Sequence, residues 1–194
     1  MAVSIFNRRR EKEPFEALIM RHERMIYSLC LRMMGNRQDA EDCAQEAILS
    51  AYRAYDGFRG QADAKTWLYR IAYNACVDAL RRRKGDASLE ALRETGFDPE
   101  ETRMAGPSET AERNDLRRQI QLAMDQLPPD QRAVMTLRDF QQLSYQEIAQ
   151  ITGMGEGTVK SRLSRARDKV KNILLQWEQN PSASVKENEG RQKE

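Results

Sequence analysis

The polar residues between Leu143 and Lys171 have the types and spacing of a helix pair that reads DNA. Ser144 and Glu147 form a capping box, in which the serine hydroxyl and the glutamate carboxylate satisfy the free N–H groups of a starting helix. Gly153 allows the positive-φ turn that ends this helix. A second helix then carries hydroxyl and cationic side chains at Thr158, Lys160, Ser161, Arg162, Ser164 and Arg165. The pattern predicts a helix-turn-helix whose second helix enters the major groove, the alternative being a basic face that is only solvated.

A second group combines aromatic and cationic side chains between Phe58 and Asn74. Trp67 and Tyr69 offer ring faces, and Lys65 and Arg70 add positive charge beside them. Ring faces next to a cationic groove are typical of surfaces that bind single-stranded DNA. Packing explains Trp67 equally well, so its position is left open between the core and the surface.

A third group is acidic. Asp39, Asp42 and Glu46 are spaced i, i+3 and i+7, which places them on one face of a helix. Asp39 lies in the first turn, where a negative charge complements the helix dipole. The dipole does not explain Glu46, so this face is a candidate docking surface for a protein.

The residues needed for most enzymes are missing from the sequence. His22 is the only histidine, and the three cysteines, Cys30, Cys43 and Cys76, have no metal-ligand spacing. There is no Gly-rich phosphate loop and no nucleophile beside a histidine base. We therefore expect no catalytic residue, no metal and no cofactor, and we expect the cysteines to be packed thiols in a reducing compartment.

Helical periodicity dominates the chain and no strand-like alternation occurs, so the fold is predicted to be all-α. Residues 1–84 carry 16 Lys/Arg and 11 Asp/Glu, residues 85–115 carry 3 and 9, and residues 116–177 carry 10 and 6. We predict two small helical domains joined by a flexible acidic linker. The predicted segments are an N-terminal arm (1–14), a first domain (15–84), the linker (85–115), a helix-turn-helix domain (116–177) and a disordered tail (178–194).

Within these domains, helices are expected from Phe15 to Gly35, from Gln38 to Tyr55 and from about Ala64 to Lys84. In the second domain, Pro128 and Pro129 separate two more, the second of which spans Gln131–Phe140. No apolar run reaches the roughly 18 residues that a membrane span requires, and no secretory signal follows Met1. The expected location is the cytoplasm, without membrane insertion.

Together the two halves resemble a bacterial RNA polymerase sigma factor of the extracytoplasmic-function type. The resemblance covers about residues 15–84 and 112–175. It is carried by Asp39–Glu46 (DAEDCAQE), by Phe58–Gly60 (FRG) with Thr66–Asn74 (TWLYRIAYN), and by Leu143–Ala149 (LSYQEIA) with Gly157–Arg162 (GTVKSR).

The resemblance implies that the protein is a promoter-specificity subunit and not an enzyme. The implied partners are the clamp helices and the flap of core RNA polymerase, duplex promoter DNA at −35, single-stranded DNA at −10, and an anti-sigma factor. The polymerase would bind at Asp39, Asp42, Gln45 and Glu46. The −10 contacts would come from Arg59, Gln61, Ala62, Asp63, Lys65, Trp67, Tyr69, Arg70 and Asn74, and the −35 contacts from the six residues named on the second helix of the helix-turn-helix. A regulator that binds duplex DNA alone is the main alternative, and a protein-interaction adaptor is another.

Overall fold

The structure is a computed structural model that describes residues 13–58, 63–86 and 107–180, and these ranges contain helices and no β-strand. The helices are α1 (Phe15–Met34), α2 (Arg37–Tyr55), α3 (Ala64–Asp86), α4 (Pro107–Asp125), α5 (Pro129–Met135), a π-helical segment (Thr136–Phe140), α6 (Tyr145–Thr152) and α7 (Glu156–Gln179). The all-α prediction is confirmed. None of the described helices combines the length and the apolar character needed to cross a membrane.

Two residues connect α1 to α2. Gly35 adopts the left-handed conformation, with φ of 79°, and its N–H donates to the Leu31 carbonyl at 2.9 Å. Asn36 then caps α2, since its side-chain oxygen accepts from the Asp39 N–H at 2.9 Å. Glycine tolerates this backbone conformation, so the sequence predicted the end of α1 at Gly35 correctly, whereas the N-cap role of Asn36 is shown by the structure alone.

The first three helices pack against one another around one apolar core. The buried positions of α2 are small: Ala40, Cys43, Ala44, Ala47 and Ala51. Small side chains let neighbouring helix axes approach closely, which brings α1 and α3 onto α2. The larger buried side chains come from the other two helices and include Leu18, Ile26, Leu29, Met33, Leu68 and Tyr69.

The C-terminal half, residues 107–180, builds its core from α4 to α7. Pro128 precedes α5 and Pro129 occupies its first turn, where the missing N–H has no cost. The helix expected over Gln131–Phe140 is observed as α5 followed by the π-helical segment. Its buried side chains include Leu122, Met124, Val134, Leu137, Ile148, Ile151, Val159 and Leu163.

The segment expected as a linker, 85–115, overlaps helices at both ends. α3 runs to Asp86, and α4 begins at Pro107 because proline is well suited to a first helical position. Most of the expected linker lies outside the described residues, as does most of the expected tail.

The two halves meet at the C-terminal end of α1, where backbone carbonyls have no partner within the helix. The Met33 carbonyl accepts from Arg132 Nη1 at 2.6 Å, and the Arg32 carbonyl accepts from Gln121 Nε2 at 3.2 Å. Arg132 is itself buried, with Nη1 3.3 Å from the Asp125 carboxylate. Residues of α4 and α5 therefore satisfy the end of α1, and this fixes the C-terminal half against it.

We predict that Gly35→Ala destabilises the protein more than Gly153→Ala does. Both glycines have positive φ, of 79° and 73°, so alanine strains the backbone by about 1 kcal/mol at either position. A Cβ at Gly35 would also lie 2.8 Å from the Asp125 carboxylate, whereas nothing lies within 4 Å of one at Gly153. Unfolding followed by circular dichroism should give the larger loss for Gly35→Ala, and equal losses would contradict this account.

Candidate nucleic-acid and protein interfaces

The outer face of α2 carries an acidic strip with an apolar end. Asp42, Gln45 and Glu46 are all exposed, and their spacing puts them on one side of the helix. Leu49, which is 50% exposed, and Tyr52, which is 63% exposed, extend this side toward the end of the helix. Sequence reasoning missed both residues, although their position off the buried stripe of α2 was a usable signal. We call Asp42, Gln45, Glu46, Leu49 and Tyr52 the α2 strip.

Asp39 is held differently from the α2 strip. Its carboxylate pairs with Arg83 of α3 and accepts from the Asn36 side chain. These contacts join the start of α2 to the end of α3. Asp39 thus has a structural task of its own, in addition to the docking role expected for it.

An aromatic cluster lies between the end of α2 and the start of α3. The Phe58 and Trp67 rings stack with centroids 4.5 Å apart, and Tyr55 lies 6.2 Å from Trp67. All three side chains are half-buried. Of the residues expected at −10, Arg59, Gln61 and Ala62 lie outside the described residues, in the segment between Phe58 and α3.

Four further residues expected at −10 lie on or next to the accessible side of α3. Asp63 is exposed, and its carbonyl accepts from the Trp67 N–H at 3.0 Å as α3 begins. Lys65 is half-buried, while Arg70 and Asn74 are exposed one turn apart. The accessible side of α3 therefore presents a cation and an amide close to the aromatic cluster.

Tyr69 lies in the contact between the two halves, with only 1% of its surface exposed. Its hydroxyl donates to Gln141 Oε1 at 2.8 Å, and Gln141 Nε2 donates to Ser28 Oγ at 3.1 Å. Burial raises the pKa of the Tyr69 hydroxyl, which stays a neutral donor. Because α6 packs against α3 and Gln141 contacts the Tyr69 hydroxyl, no DNA base can reach Tyr69 in this arrangement.

The helix-turn-helix has the local geometry that its sequence predicted. Ser144 N–H donates to Glu147 Oε2 at 2.7 Å, and the Glu147 N–H donates to Ser144 Oγ at 3.2 Å, which completes the capping box. Gly153 ends α6 in the left-handed conformation. Buried residues of α6 and α7 then pack together: Ile148, Ile151, Val159 and Leu163.

Three cations of α7 contact other parts of the C-terminal half. Arg162 pairs with Asp130, Arg167 pairs with Asp139 with Nε 3.0 Å from the carboxylate, and Lys169 donates to the Gln126 carbonyl at 2.8 Å. These three side chains hold α7 against the rest of the C-terminal half.

Five polar or cationic residues of α7 face away from the protein. Thr158, Lys160, Ser161, Ser164 and Arg165 are all exposed near the N-terminal end of α7. Arg165 makes no hydrogen bond or ion pair with the residues that the structure describes, and Lys160 Nζ lies 5.4 Å from the centroid of the Tyr145 ring. Five of the six residues expected at −35 therefore share one accessible surface, while the sixth, Arg162, is tied inward.

An open groove of about 720 Å³ lies between α4 and α7. Its walls are largely apolar and include Leu116, Val170, Leu174, Leu175 and Trp177. Leu116 and Leu175 are 53% and 41% exposed, so the groove presents apolar surface to solvent. Its shape and character suit an amphipathic helix.

Two family models match the chain, one in each half. Sigma-70 region 2 matches residues 18–85, and Sigma-70, region 4 matches residues 117–170. The first range contains the α2 strip and α3, and the second contains the helix-turn-helix.

Curated relatives match across both halves. The RNA polymerase sigma-H factor of Pseudomonas aeruginosa is 35% identical over 171 residues, which cover 86% of this chain and 89% of that protein. The ECF RNA polymerase sigma-E factor of Escherichia coli strain K12 is 35% identical over 167 residues, covering 84% and 87%.

Solved structures share the fold. CnrH, in complex with the cytosolic domain of CnrY, superposes with a TM-score of 0.59 at 25% identity, over 82% of this chain and 86% of CnrH. The sigma factor RpoE of Bartonella quintana, in complex with the anti-sigma factor NepR, gives a TM-score of 0.68 at 23% identity, over 83% and 96%.

We predict that Ser144→Ala lowers the free energy of unfolding by about 1 kcal/mol at neutral pH. Hydrogen bonds from Ser144 hold the pKa of Glu147 below its usual range, so its carboxylate stabilises the fold at neutral pH and loses this effect as the pH falls through that lowered pKa. The difference between wild type and variant should therefore shrink in acid. Unfolding at several pH values tests this, with the exposed Ser164→Ala as control; a difference that does not change with pH would refute it.

Proposed function

The chain belongs to the extracytoplasmic-function family of RNA polymerase sigma factors, and we propose that it directs core polymerase to promoters through their −35 and −10 elements. In this proposal it also nucleates strand opening at −10. The observation that carries it is the presence, in one chain, of the exposed α2 strip and of exposed hydroxyl and cationic side chains near the start of α7. The protein acts in the cytoplasm, where polymerase and promoter DNA meet.

The α2 strip is the proposed docking surface for the clamp helices of core polymerase. Its acidic residues give orientation and electrostatic attraction, and Leu49 supplies apolar area next to them. Asp39 supports the strip through its ion pair with Arg83, which anchors the start of α2. The groove between α4 and α7 is the proposed site for a second polymerase element, the flap.

At −10, the proposed contacts centre on the aromatic cluster and the accessible side of α3. Stacking on an aromatic ring stabilises an unpaired base by about 1–3 kcal/mol, which offsets part of the cost of opening the duplex. Arg70 and Asn74 supply charge and hydrogen bonds beside it. Residues 59–62, which directly follow Phe58, complete this proposed surface.

At −35, the proposed reader is the outer side of α7. Arg165 and Lys160 would contact base edges, and Thr158, Ser161 and Ser164 would contact phosphates or bases. Arg162, which pairs with Asp130, positions α7 in this proposal.

Tyr69 contributes to −10 binding only after the contact between α3 and α6 opens. We propose that this opening accompanies polymerase binding, since docking then competes with the contact between the two halves. An anti-sigma factor is the proposed partner of the protein when it is not bound to polymerase.

Transcription with purified bacterial core polymerase on genomic DNA fragments tests the proposed function. New discrete start sites that depend on the protein are expected. Specific binding of duplex DNA by the protein alone, without new start sites, would favour a stand-alone regulator instead. The same fragments without the protein provide the background.

We predict that the double variant Asp42→Lys with Glu46→Lys loses at least about 30-fold in affinity for core polymerase, or about 2 kcal/mol, through charge repulsion. Both side chains are exposed, so the fold should persist by circular dichroism. The control is Glu23→Lys with Asp56→Lys, which makes the same change in charge at exposed positions on α1 and after α2. Equal affinities of the two variants would place the docking surface elsewhere.

We predict that Arg165→Ala reduces discrimination between −35 sequences by about 1–3 kcal/mol, or about fivefold to 150-fold, because one base contact is lost. Transcription from promoters that differ at single −35 positions measures this. Arg167→Ala removes the same charge from α7 but breaks only the pair with Asp139, so selectivity should survive. A uniform loss across all −35 sequences for Arg165→Ala would indicate phosphate binding.

A further inference from the structure

The only three cysteines of the chain meet in the core of the first three helices. Cys30 comes from α1, Cys43 from α2 and Cys76 from α3. Cys43 Sγ lies 3.4 Å from Cys76 Sγ, which lies 3.7 Å from Cys30 Sγ. All three sulfur atoms are within 4.8 Å of one another, and all three thiols are free. Their spacing in the sequence gave no sign of this convergence.

The cluster is enclosed but not sealed. Cys30 and Cys76 have no exposed surface, and Cys43 is 5% exposed. Cys43 is therefore the most accessible of the three thiols, which makes it the point of entry for a thiol-seeking ligand.

We propose that Cys30, Cys43 and Cys76 form a three-coordinate binding site for trivalent inorganic arsenic, taken up as arsenite. Each helix contributes one sulfur ligand, and the bound ion joins α1, α2 and α3.

The number of ligands favours this ion over zinc. Structural zinc sites use four protein ligands. Among the residues that the structure describes, no histidine, aspartate or glutamate joins the three cysteines. A buried zinc ion would therefore lack its fourth ligand, whereas trivalent arsenic is satisfied by three sulfurs.

The net charge of the complex also favours trivalent arsenic. A complex of three thiolates with a trivalent centre is neutral, whereas a complex of three thiolates with a monovalent ion such as Cu(I) carries two negative charges. An uncompensated charge is costly in an apolar interior. Arg82 is exposed and offsets at most one charge, so the neutral complex suits this core best.

The spacing of the sulfurs fits a small pyramidal centre. With ion–sulfur bonds of about 2.3 Å, three sulfurs in one plane with the ion are about 4.0 Å apart. An ion that carries a lone pair sits above the sulfur plane and draws the sulfurs closer together. Two of the three separations, 3.4 Å and 3.7 Å, are below the planar value and the third is within 4.8 Å, so the three sulfurs lie within reach of one pyramidal centre.

The binding reaction is a ligand exchange without oxidation or reduction. Arsenous acid, As(OH)₃, exchanges its three hydroxyl groups for three thiolates. Three As–O bonds break, three As–S bonds form, and each thiol proton leaves in one of three water molecules. Binding to the folded state raises the unfolding temperature further as the free arsenite concentration increases above the Kd.

The test titrates the full chain with sodium arsenite and, in a parallel experiment, with zinc chloride. A phosphine keeps the thiols reduced in both. Native mass spectrometry should show one arsenic bound with the loss of three protons, and the unfolding temperature should rise with arsenite and not with zinc. The mass itself counts the thiols, because arsenic bound through only two of them would keep one hydroxyl group. Equal stabilisation by zinc, or arsenic bound through only two thiols, would overturn the proposal.

Single variants Cys30→Ala, Cys43→Ala and Cys76→Ala separate a three-thiol site from a pair. Each should lower arsenite affinity at least tenfold, because each removes one As–S bond. Arsenite affinity equal to wild type in any folded variant would overturn the proposal. If a variant does not fold, the mass of the wild-type complex decides: one arsenic bound with the loss of three protons supports the site, and binding seen only in denaturant refutes it.

Discussion

The C-terminal end of α1 is the constraint on which the arrangement of the described helices depends. Its last carbonyls need donors, and Arg132 and Gln121 from the other half provide them. Gly35 lets the chain turn directly against Asp125, whose carboxylate offsets the buried charge of Arg132. Losing one member would leave a buried charge or carbonyl without its partner, which costs more than the contact itself contributes.

This constraint explains why some charged side chains of a helix form ion pairs within the protein while others on the same helix stay exposed. Once α5 and the π-helical segment are placed, Asp130 and Asp139 lie within reach of α7, so Arg162 and Arg167 are used to hold it. Arg165 has no such partner among the described residues and stays available. On α2, Asp39 is likewise used internally by Arg83, while Asp42 and Glu46 remain exposed.

Features set by residues close in sequence were predictable, and features set by distant packing were not. The capping box of α6 and the end of α1 at Gly35 depend on neighbours within four positions, and both were predicted. From the sequence we expected Tyr69 to offer its ring to DNA, because no local pattern reveals that its hydroxyl meets Gln141, 72 positions later. The cysteine cluster joins residues up to 46 positions apart for the same reason. Leu49 could have been found, since it lies off the buried stripe of α2.

The contact between the two halves differs from the cores on either side of it. Around Tyr69 it depends on a chain of hydrogen bonds through Gln141 to Ser28, and not on apolar burial alone. Water can replace such bonds when the contact opens, at a net cost of about 0.5–1.5 kcal/mol each. Exposing an apolar core would cost far more, since each large side chain contributes about 1.5–3 kcal/mol. The polar part of the contact is therefore the natural place for the halves to separate, and such separation uncovers the side of α3 that carries Tyr69.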